Sequence, residues 1–399
     1  MLQGKTVLLG VTGGIAAYKV PNLCSMLVKQ GAKVETILTA NAQKIVSPIP
    51  FEALSGNRCH TDTFDPADTK KIEHIELARR ADILVIAPAS ANMIAKLRYG
   101  LADDMLSTTA LACTCKKLLV PAMNTDMYEN PATQENLEIL RQRGFLVMEP
   151  ASGRLACGAV GPGKMPEPAD IYDRIEAEIA REKDLAGLRV LVTAGPTQEP
   201  IDPVRYITNH SSGKMGYALA HAAMLRGARV TLVSGPTALK YPPLVRTIPV
   251  VTAGDMYEAV TAEAAQADII IKAAAVADYT PETVADNKIK KTNGDMSIPL
   301  ARTRDILGYL GENRRPGQFL CGFSMETENM LENSRKKLRK KHLDMVVANN
   351  VKVAGAGFQG DTNVITLITE DAAKELPLMD KEEAAHAILD QILTLLAPR

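Results

Sequence analysis

The sequence has no tryptophan, few aromatic residues and no excess of either charge. Phe and Tyr together make up 4 % of the 399 residues, and 46 Lys and Arg balance 46 Asp and Glu. A chain without net charge gives no general electrostatic reason to expect a nucleic-acid or membrane partner. The longest apolar runs, such as ILVIAPASA, are far shorter than the ~20 residues that a membrane span requires. We therefore expect a soluble globular protein with neither kind of partner.

Paired cysteines are also absent. The six cysteines are scattered and form no CxxC motif. Free thiols in a reducing compartment are the simplest interpretation. The first residues, MLQGKTVLLG, lead directly into an apolar strand, so no secretory signal precedes it. These features predict a cytoplasmic protein.

The length and the element pattern predict two α/β domains. Val/Ile/Leu-rich runs alternate with helical periodicity in both halves of the chain, which indicates parallel sheets covered by helices. A Gly/Pro-rich stretch, ASGRLACGAVGPGKMPEP, is expected to be a long loop, and DLAGL is expected to be the hinge. We predict two Rossmann-like parallel-sheet domains, residues 1–184 and 185–399.

The first half carries polar and glycine residues where parallel strands are expected to end. The turn GVTGGIAAYK lacks GxGxxG spacing but places Gly13 and Gly14 before a helix N-terminus, where free N–H groups favour phosphate. A tight strand-to-helix turn explains these glycines equally well. Ligands bind at the carboxyl ends of strands in open α/β sheets. The other residues expected near such ends are Ser90, Asn92, Ser107 and Thr108.

Three further residues of this half are candidates for chemistry. His74 lies in a helical segment, Asn124 follows a strand, and Cys157 lies in the long loop. Each has an ordinary explanation: a solvated histidine, a polar turn residue and a small buried thiol. No single one of them is decisive.

The sequence around these three residues resembles that of the flavin-dependent cysteine decarboxylases. The motifs His-Ile-Glu-Leu, Pro-Ala-Met-Asn-x-x-Met and Ala-Cys-Gly-x-x-Gly-x-Gly-Lys-Met occur in the order found in that family, over about the first 180 residues. The resemblance implies a flavodoxin-like domain that binds FMN through the glycine turn and the four polar residues named above. It implies that His74 acts in oxidative decarboxylation of 4′-phosphopantothenoylcysteine. It also implies that Asn124, with Arg79, holds the substrate and that Cys157 donates the final proton.

The second half places candidate anion-binding residues around another helix start. The segment RYITNHSSGKMG brings Asn209, Ser211, Gly213 and Gly216 to that start, with a serine expected as the helix cap. A capped helix whose glycines pack against the sheet is the ordinary alternative. Further residues expected near strand ends or on one helix face are Asp278, Lys288, Phe323, Lys337 and Lys341. Lysines near an anion-binding helix start suggest a triphosphate, although a lysine cluster is usually a solvated face.

This half is similar to the phosphopantothenate–cysteine ligases from about Leu185 to near the C-terminus. The matching segments are RYITNHSSGKMG, AAAVADY, KIKK and the lysine-rich helix before LDMVVAN. The resemblance implies that 4′-phosphopantothenate, CTP and L-cysteine are the substrates, with Mg²⁺, and that an acyl-cytidylate forms. The residues it implies for catalysis are Asn209 and Lys288. Those it implies for substrate or nucleotide are Ser211, Gly213, Gly216, Ala273, Ala274, Ala275, Asp278, Lys288, Arg304, Asp305, Ile306, Leu307, Phe323, Lys337 and Lys341.

Together the two resemblances predict two consecutive enzymes on one chain. The second half would make 4′-phosphopantothenoylcysteine and the first half would decarboxylate it. The families imply a homo-oligomer, with trimers of the decarboxylase half and dimers of the ligase half. A nicotinamide-dependent oxidoreductase and a non-catalytic regulatory flavoprotein are the alternatives. Residue chemistry leaves open the choice between CTP and ATP and the ligands of Mg²⁺.

Overall fold

The chain folds into two α/β units. The computed structural model describes residues 2–65, 72–154, 158, 160–291, 296–326, 329–350 and 360–396. It divides into one unit over Met1–Arg181 and another over Glu182–Arg399.

A parallel sheet forms the centre of the first unit. Among the described residues six strands pair in the order β3-β2-β1-β4-β5-β6, and every pairing is parallel. The strands of this unit are β1 (Thr6–Val11), β2 (Lys33–Leu38), β3 (Cys59–His60), β4 (Ile83–Ala89), β5 (Lys116–Pro121), β6 (Leu146–Val147), β7 (Ala151–Arg154) and β8 (Val160–Lys164). The order reverses between β1 and β4, as in doubly wound nucleotide-binding folds.

Helices cover both faces of this sheet. They are α1 (Val20–Lys29), α2 (Ile49–Ser55), α3 (Glu73–Arg80), α4 (Ala91–Tyr99), α5 (Met105–Ala112), α6 (Thr125–Glu129), α7 (Pro131–Gln142) and α8 (Pro168–Ile179), with a 3₁₀ turn at Ile15–Lys19 and another at Ala42–Lys44. Side chains alternate along β1, so Val7 and Leu9 pack with α1 and α8, while Leu8 packs against α3, α4 and α5. The strands are therefore buried on both sides, as their continuous apolar runs predict.

The Gly/Pro-rich stretch is not only a loop. Its described ends form an antiparallel hairpin in which β7 pairs with β8. Two glycines occupy conformations that other residues rarely adopt, with φ values of +157° at Gly153 and +136° at Gly163. Glycine and proline favour turns in general, which is why composition alone predicted a loop.

The second unit contains a larger, mixed sheet. Among the described residues eight strands pair in the order β13-β12-β9-β14-β17-β18-β20-β21, parallel except that β20 is antiparallel to β18 and β21. The strands of this unit are β9 (Arg189–Ala194), β10 (Gln198–Pro200), β11 (Tyr206–Thr208), β12 (Arg229–Ser234), β13 (Arg246–Pro249), β14 (Ile269–Lys272), β15 (Tyr279–Pro281), β16 (Leu300–Arg302), β17 (Phe319–Glu326), β18 (Met345–Asn350), β19 (Thr362–Asn363), β20 (Ile365–Ile368), β21 (Ala373–Glu375) and β22 (Met379–Asp380). The order reverses between β9 and β14.

The helices of this unit again lie on both faces. They are α9 (Lys214–Leu225), α10 (Ala253–Ala264), α11 (Ile306–Glu312), α12 (Met330–Lys340) and α13 (Lys381–Leu396). Ile270 of β14 packs with Met256 of α10, Ile306 of α11 and Leu338 of α12 in one core, while α9 packs on β9, β12 and α13. This arrangement confirms the prediction of an α/β fold with two doubly wound sheets. The prediction of a purely parallel second sheet was wrong, because β20 and β21 add to its edge as antiparallel strands.

Two further expectations can be compared with the structure. The five cysteines within the described ranges, all but Cys157, are free thiols. Across the same part of the chain, no helix combines the length and apolar character that crossing a bilayer would demand.

Candidate functional sites

The first unit holds a cavity of about 650 Å³ at the carboxyl ends of its strands. It lies where the strand order reverses, beyond the ends of β1, β4 and β5, which is the position of ligand sites in open α/β sheets. Its size is within the range of small-molecule sites. The lining residues are Gly13, Gly14, Ile15, Ala16, Tyr18, Lys19, Ser90, Ala91, Ala122, Met123, Asn124, Met127, Arg154, Gly163, Lys164 and Met165.

The turn after β1 is built around a buried threonine. The Thr12 hydroxyl donates to the Pro88 carbonyl at 2.6 Å and accepts from the Ser90 amide at 3.0 Å, so it ties the ends of β1 and β4 together. A Cβ on Gly13 would lie 2.5 Å from Cβ of Asn41, and one on Gly14 would lie 3.2 Å from Cγ of Pro88. Glycine is therefore required at position 13 by packing. The backbone of both glycines lines the cavity.

Two helix N-termini begin at the cavity. Ser90 caps α4 by accepting from the Met93 amide at 3.4 Å, and Asn124 caps α6 by accepting from the Asp126 amide at 2.8 Å. Both residues line the cavity, and Asn124 is half-buried. Uncompensated N–H groups at helix starts favour anionic ligands.

The β7–β8 hairpin forms one wall of the cavity. The Met123 amide donates to the Gly163 carbonyl at 3.0 Å, and a Cβ on Gly163 would lie 2.3 Å from the Met123 carbonyl oxygen. The hairpin thereby brings Arg154 and Lys164 to the cavity. Cys157, which the sequence analysis placed in this stretch, lies outside the described residues.

Basic side chains of the cavity were not all anticipated. Lys19 and Lys164 both approach Glu167, at 2.8 and 3.5 Å, and Arg154 lines the same wall. Neither Lys19 nor Arg154 was predicted from the sequence to be a site residue. The one available signal was their placement, because Lys19 follows the glycine turn by one helical turn.

Five predicted residues of this unit do not line the cavity. They are Asn92, Ser107, Thr108, His74 and Arg79. The Ser107 hydroxyl forms a capping box with Asp104 at the start of α5, accepting from its amide at 3.2 Å and donating to its carbonyl at 3.1 Å. This cap explains Ser107 without a ligand.

His74 lies on the first turn of α3 and is half-buried. Helices that connect parallel strands run back across the sheet, so α3 begins at the same edge as the cavity. Arg79 is exposed on the last turn of α3, 3.9 Å from Glu76. The single chain therefore places both residues on α3 and outside the cavity wall.

The second unit holds a cavity of about 470 Å³ beyond the ends of β14 and β17. The residues that line it are Lys272, Ala274, Val276, Ala277, Asp278, Tyr279, Arg302, Thr303, Arg304, Asp305, Ile306, Leu307, Phe323, Lys337 and Lys341. Lysines and arginines outnumber carboxylates in this wall, which favours an anionic ligand. Nine of the predicted nucleotide residues are brought together here, namely Ala274 and the following eight: Asp278, Arg304, Asp305, Ile306, Leu307, Phe323, Lys337 and Lys341.

Lysines of α12 and its C-terminus are held in place by specific contacts. Lys337 Nζ donates to the Phe323 carbonyl at 2.7 Å, and Lys341 forms an ion pair with Asp305. Asp305 also caps α11 by accepting from the Gly308 amide at 2.9 Å. The ammonium of Lys341 holds the pKa of Asp305 below its usual range despite the desolvation of that carboxyl. The contacts fix the two ammonium groups on one side of the cavity.

An aromatic group flanks this cavity. The guanidinium carbon of Arg304 lies 3.9 Å from the ring centroid of Tyr257, and the Tyr257 and Tyr309 rings are 5.4 Å apart. Arg304 also pairs with Glu258 at 2.7 Å. These contacts position a planar cation at the cavity rim.

Asn209 and the alanine stretch are joined to each other. The Asn209 side chain donates to the Ala275 carbonyl at 3.1 Å, and the Ala275 amide donates to the Gly195 carbonyl at 3.0 Å. Asn209 therefore lies beside residues 273–275, which lead from β14 into the cavity wall.

The helix start after Asn209 differs from the expectation in its cap. Gly213, at φ +78°, is the N-cap residue of α9, and no serine side chain caps it. The Ser211 hydroxyl accepts instead from the Gly213 amide at 3.4 Å. A Cβ on Gly216 would lie 2.5 Å from Cβ of Ala194. Helix–strand packing thus explains Gly216.

Lys288 lies on a segment that a buried carboxylate holds in place. Asp202 accepts from the Ile289 amide at 3.1 Å and from the Arg205 guanidinium, while Arg205 donates to the Ile289 carbonyl at 3.0 Å. The guanidinium holds the pKa of Asp202 well below its usual range. Lys288 itself is exposed and does not line the cavity. Its neighbour Ile289 is therefore anchored, which limits where Lys288 can reach.

Lys272 is a cavity residue that the sequence analysis missed. It ends β14 and is buried, and its residue exposure is 7 %. Burial, together with the nearby charge of Lys337, lowers the pKa of Lys272 to about 7. The signal in the sequence was a single lysine within the otherwise apolar run IIIKAAAVA.

A resident metal centre is not evident. Among the described residues, no group of three or more His, Cys, Asp or Glu side chains could hold a metal ion.

The fold and cavities define a class of protein. Two doubly wound sheets, each with a ligand cavity at its strand ends, describe an α/β enzyme with two separate nucleotide-type sites. The Flavoprotein family model matches residues 1–180, and the model of the DNA/pantothenate metabolism flavoprotein C-terminal domain matches residues 185–396.

Full-length relatives make the assignment specific. The coenzyme A biosynthesis bifunctional protein CoaBC of Bacillus subtilis (strain 168) is 50 % identical over 99 % of this chain and 98 % of its own length. That of Escherichia coli (strain K12) is 45 % identical over 98 % of each chain. A crystal structure of the C-terminal domain of such a protein is 47 % identical, covers 54 % of this chain and 98 % of that chain, and has a TM-score of 0.47.

The chain belongs to the family of bifunctional coenzyme A biosynthesis proteins. It is a flavoprotein that combines phosphopantothenoylcysteine decarboxylase and phosphopantothenate–cysteine ligase activities. The sequence prediction of two consecutive enzymes is confirmed, and the nicotinamide-dependent and purely regulatory alternatives are not supported.

Proposed function

We propose that residues 1–184 form the FMN-dependent decarboxylase and residues 185–399 the CTP-dependent ligase. The ligase joins L-cysteine to 4′-phosphopantothenate, and the decarboxylase converts the product, 4′-phosphopantothenoylcysteine, to 4′-phosphopantetheine. The observation that carries this division is that each unit has its own cavity at the carboxyl ends of its own parallel strands. The absence of long apolar helices from the described part of the chain is compatible with a cytoplasmic location.

The cavity of the first unit fits FMN. The side-chain-free backbone of Gly13 and Gly14 and the helix start capped by Ser90 offer N–H donors for the phosphate, and apolar side chains such as Met123 and Met165 can cover a flat ring system. FMN, when bound, supplies the transient oxidation of the thiol-bearing carbon that makes loss of CO₂ feasible. Asn92, Ser107 and Thr108 stay predictions for this cofactor.

The residues of this chain act on the substrate. The main support for this assignment is that the half-buried side chain of Asn124 lines the same cavity as the glycine turn. An amide there can hold the substrate carboxylate or amide, with Arg79 as a second predicted contact. We assign His74 to the oxidative decarboxylation and Cys157 to protonation of the enethiolate intermediate. A proton donor must keep its proton, so Cys157 is expected to be a thiol.

A matched pair of variants tests the role of Asn124. Asn124 and Asn130 are both N-cap residues whose side-chain oxygens accept from a backbone amide, at 2.8 and 3.0 Å, but only Asn124 lines the cavity. Aspartate caps helices as well as asparagine does. Asn124→Asp should therefore keep the fold but place a carboxylate against the substrate carboxylate. We expect decarboxylation to fall by about 100-fold or more, as for loss of one oriented donor.

Asn130→Asp is the control, and one result of the comparison would contradict the role of Asn124. Asn130→Asp should decarboxylate supplied 4′-phosphopantothenoylcysteine at the wild-type rate. Equal rates for both variants would remove Asn124 from the site. Flavin absorbance of the purified variants controls for cofactor loss.

The position of His74 supports assembly into a homo-oligomer. His74 does not line the cavity of its own chain, and several large apolar side chains of this unit are exposed, including Ile15 and Tyr18 at the cavity and Ile72 beside α3. Large apolar side chains of this kind would be covered if they lay in an interface between subunits. We propose trimers of the decarboxylase unit, in which His74 of one subunit serves the cavity of another, and dimers of the ligase unit.

The cavity of the second unit fits a nucleoside triphosphate. Lys337 and Lys341 offer ammonium groups to the phosphates, and Ala274, Asp278, Phe323 and residues 304–307 form the surrounding wall. Ala273 and Ala275, which the family also implies, stay predictions for the nucleotide. We propose CTP as the nucleotide, with Mg²⁺ bound mainly by its phosphates. Ser211, Gly213 and Gly216 stay predictions for a phosphate at the start of α9.

The proposed ligation proceeds in two displacements. A carboxylate oxygen of 4′-phosphopantothenate attacks the α-phosphorus of CTP, and pyrophosphate leaves. The cysteine nitrogen then attacks the acyl carbon, CMP leaves, and the nitrogen loses a proton. Cationic side chains neutralise the charge that develops on phosphorus. We assign Lys288 to the first displacement and Asn209, fixed against Ala275, to the second.

A second matched pair tests the nucleotide site. Lys337 lines the cavity, whereas Lys336 is exposed on the same helix and pairs with Glu332 at 2.9 Å. A hydrogen bond to a charged group contributes about 1.5–3 kcal/mol, so Lys337→Gln should weaken CTP binding by about 10- to 100-fold. Lys336→Gln should bind normally. Titration with CTP and ATP in turn, each with Mg²⁺, identifies the preferred base, and tighter binding of ATP would reject the CTP assignment.

A further inference from the structure

The end of β14 places a buried lysine in the wall of the nucleotide cavity. Lys272 is paired in register with Thr193 of β9 and Gly322 of β17, so it lies in the middle of the sheet and not at its edge. Its side chain is on the face that carries Ile270, under α10, α11 and α12, and it reaches the cavity. A lysine in this position is costly unless the ammonium has a partner.

The described residues give Lys272 no carboxylate partner within ion-pair distance. Its Nζ donates to Met256 Sδ, a weak acceptor, at 3.8 Å. The charged groups that influence it are Lys337 of α12, which repels it, and Asp305 before α11, which attracts it. Asp305 is already engaged by Lys341 and by the Gly308 amide. Lys272 therefore has an ammonium group at the cavity wall that no carboxylate of the described residues approaches within ion-pair distance.

We propose that Lys272 is a further phosphate-binding residue of the nucleotide site, with an ammonium that is compensated only when the triphosphate binds. This inference rests on the nucleotide site proposed above. Lys272 lines the cavity together with Lys337 and Lys341. Lys272 approaches the cavity from the end of β14, whereas the other two approach from α12 and its C-cap. An anion between them would replace mutual repulsion by attraction.

Binding should then be coupled to proton uptake. Burial and Lys337 lower the pKa of Lys272 to about 7, so the free protein is only partly protonated at this position near neutral pH. A bound triphosphate favours the charged form, which raises the pKa of Lys272. The nucleotide complex should therefore hold more protons than its separated components.

The first test compares Lys272→Met with Lys336→Met in the full-length protein. Methionine has a similar length and suits an apolar site beside Met256. We expect Lys272→Met to weaken binding of CTP with Mg²⁺ by about 10- to 100-fold. The ligand-free variant should melt no lower than the wild type, because an uncompensated buried charge has been removed. Lys336→Met should match the wild type in affinity.

Each contrary outcome has a separate meaning. Unchanged CTP affinity in Lys272→Met, or a lower melting temperature of the ligand-free variant, would overturn the inference, the latter because it indicates a structural role. A wild-type protein that binds neither CTP nor ATP would instead overturn the proposed function.

A second measurement needs no variant to fold. Calorimetric titration of the wild type with CTP and Mg²⁺ in buffers of different ionisation enthalpy gives the number of protons taken up. We expect net uptake at pH 7.5, beyond that of free nucleotide binding Mg²⁺, and smaller uptake at pH 6. No uptake at either pH would contradict the inference.

Discussion

Replacing Gly163 by alanine should detach the hairpin wall from the decarboxylase cavity. Gly163 has φ +136°, and an added Cβ would lie 2.3 Å from the Met123 carbonyl oxygen, a backbone atom. The unfavourable backbone conformation alone costs about 1–3 kcal/mol. The collision cannot be relieved by a side-chain rotation, so the Met123–Gly163 hydrogen bond of 3.0 Å must also break, at about 1 kcal/mol. Together these two costs should destabilise the docked position of the hairpin by about 2–4 kcal/mol or more.

Gly144→Ala is the matched control for this variant. Gly144 has φ +85° but no atom within 4 Å of an added Cβ, so it reports conformational strain without a collision. The assay measures flavin absorbance and decarboxylation of supplied 4′-phosphopantothenoylcysteine, with ligase turnover as an internal check on the second unit. Gly163→Ala should lose decarboxylation while ligase turnover persists, and Gly144→Ala should keep both. Equal decarboxylation by the two variants would refute the reasoning.

Three other predictions address the remaining parts of the two sites. The pKa of Lys272 is lower in the folded protein than in the unfolded chain, so the unfolded chain binds more protons at this residue above pH 7. The free energy of unfolding of the wild type should therefore rise by about 1.4 kcal/mol for each pH unit between these two pKa values. The stability advantage of Lys272→Met in urea should therefore narrow between pH 7 and 10, and a constant gap would contradict the pKa. Mixed oligomers of His74→Asn and Asn124→Asp should recover about a quarter of the decarboxylase activity if the two residues meet across subunits, and none if they act within one chain. Asn209→Asp should still release pyrophosphate and form acyl-cytidylate but transfer the acyl group slowly to cysteine, whereas Lys288→Gln should form no acyl-cytidylate. Mass spectrometry that detects no acyl-cytidylate with Asn209→Asp would refute the role assigned to Asn209.

The strands and most helices were predictable because burial leaves a direct pattern in the sequence. β4 reads ILVIAPA and β14 reads IIIK, and such runs have few structural alternatives. The hairpin of β7 and β8 was not predicted, because its strands contain Gly153 and Gly163, and glycine in a single sequence indicates a turn. Its pairing depends on contacts with Met123, which lies far away in the chain.

The candidate sites were predictable where residues follow strand ends. Gly13, Ser90 and Asn124 met at one cavity, because parallel strands end at one edge. Ser107 followed the same logic, yet its hydroxyl is used by a capping box with Asp104. Lys272 was missed because one lysine in an apolar run gives no indication of which way it faces until the sheet register is known.

The central claim is that one chain performs ligation and decarboxylation in sequence, at two cavities. Wild-type protein should be given 4′-phosphopantothenate, CTP, Mg²⁺ and cysteine labelled with ¹³C in its carboxyl group, and the products followed by mass spectrometry. We predict one labelled CO₂ and one 4′-phosphopantetheine for each pyrophosphate released. Asn124→Asp should stop at labelled 4′-phosphopantothenoylcysteine. Pyrophosphate release without any labelled amide or labelled CO₂, or labelled CO₂ formed without CTP, would contradict the account.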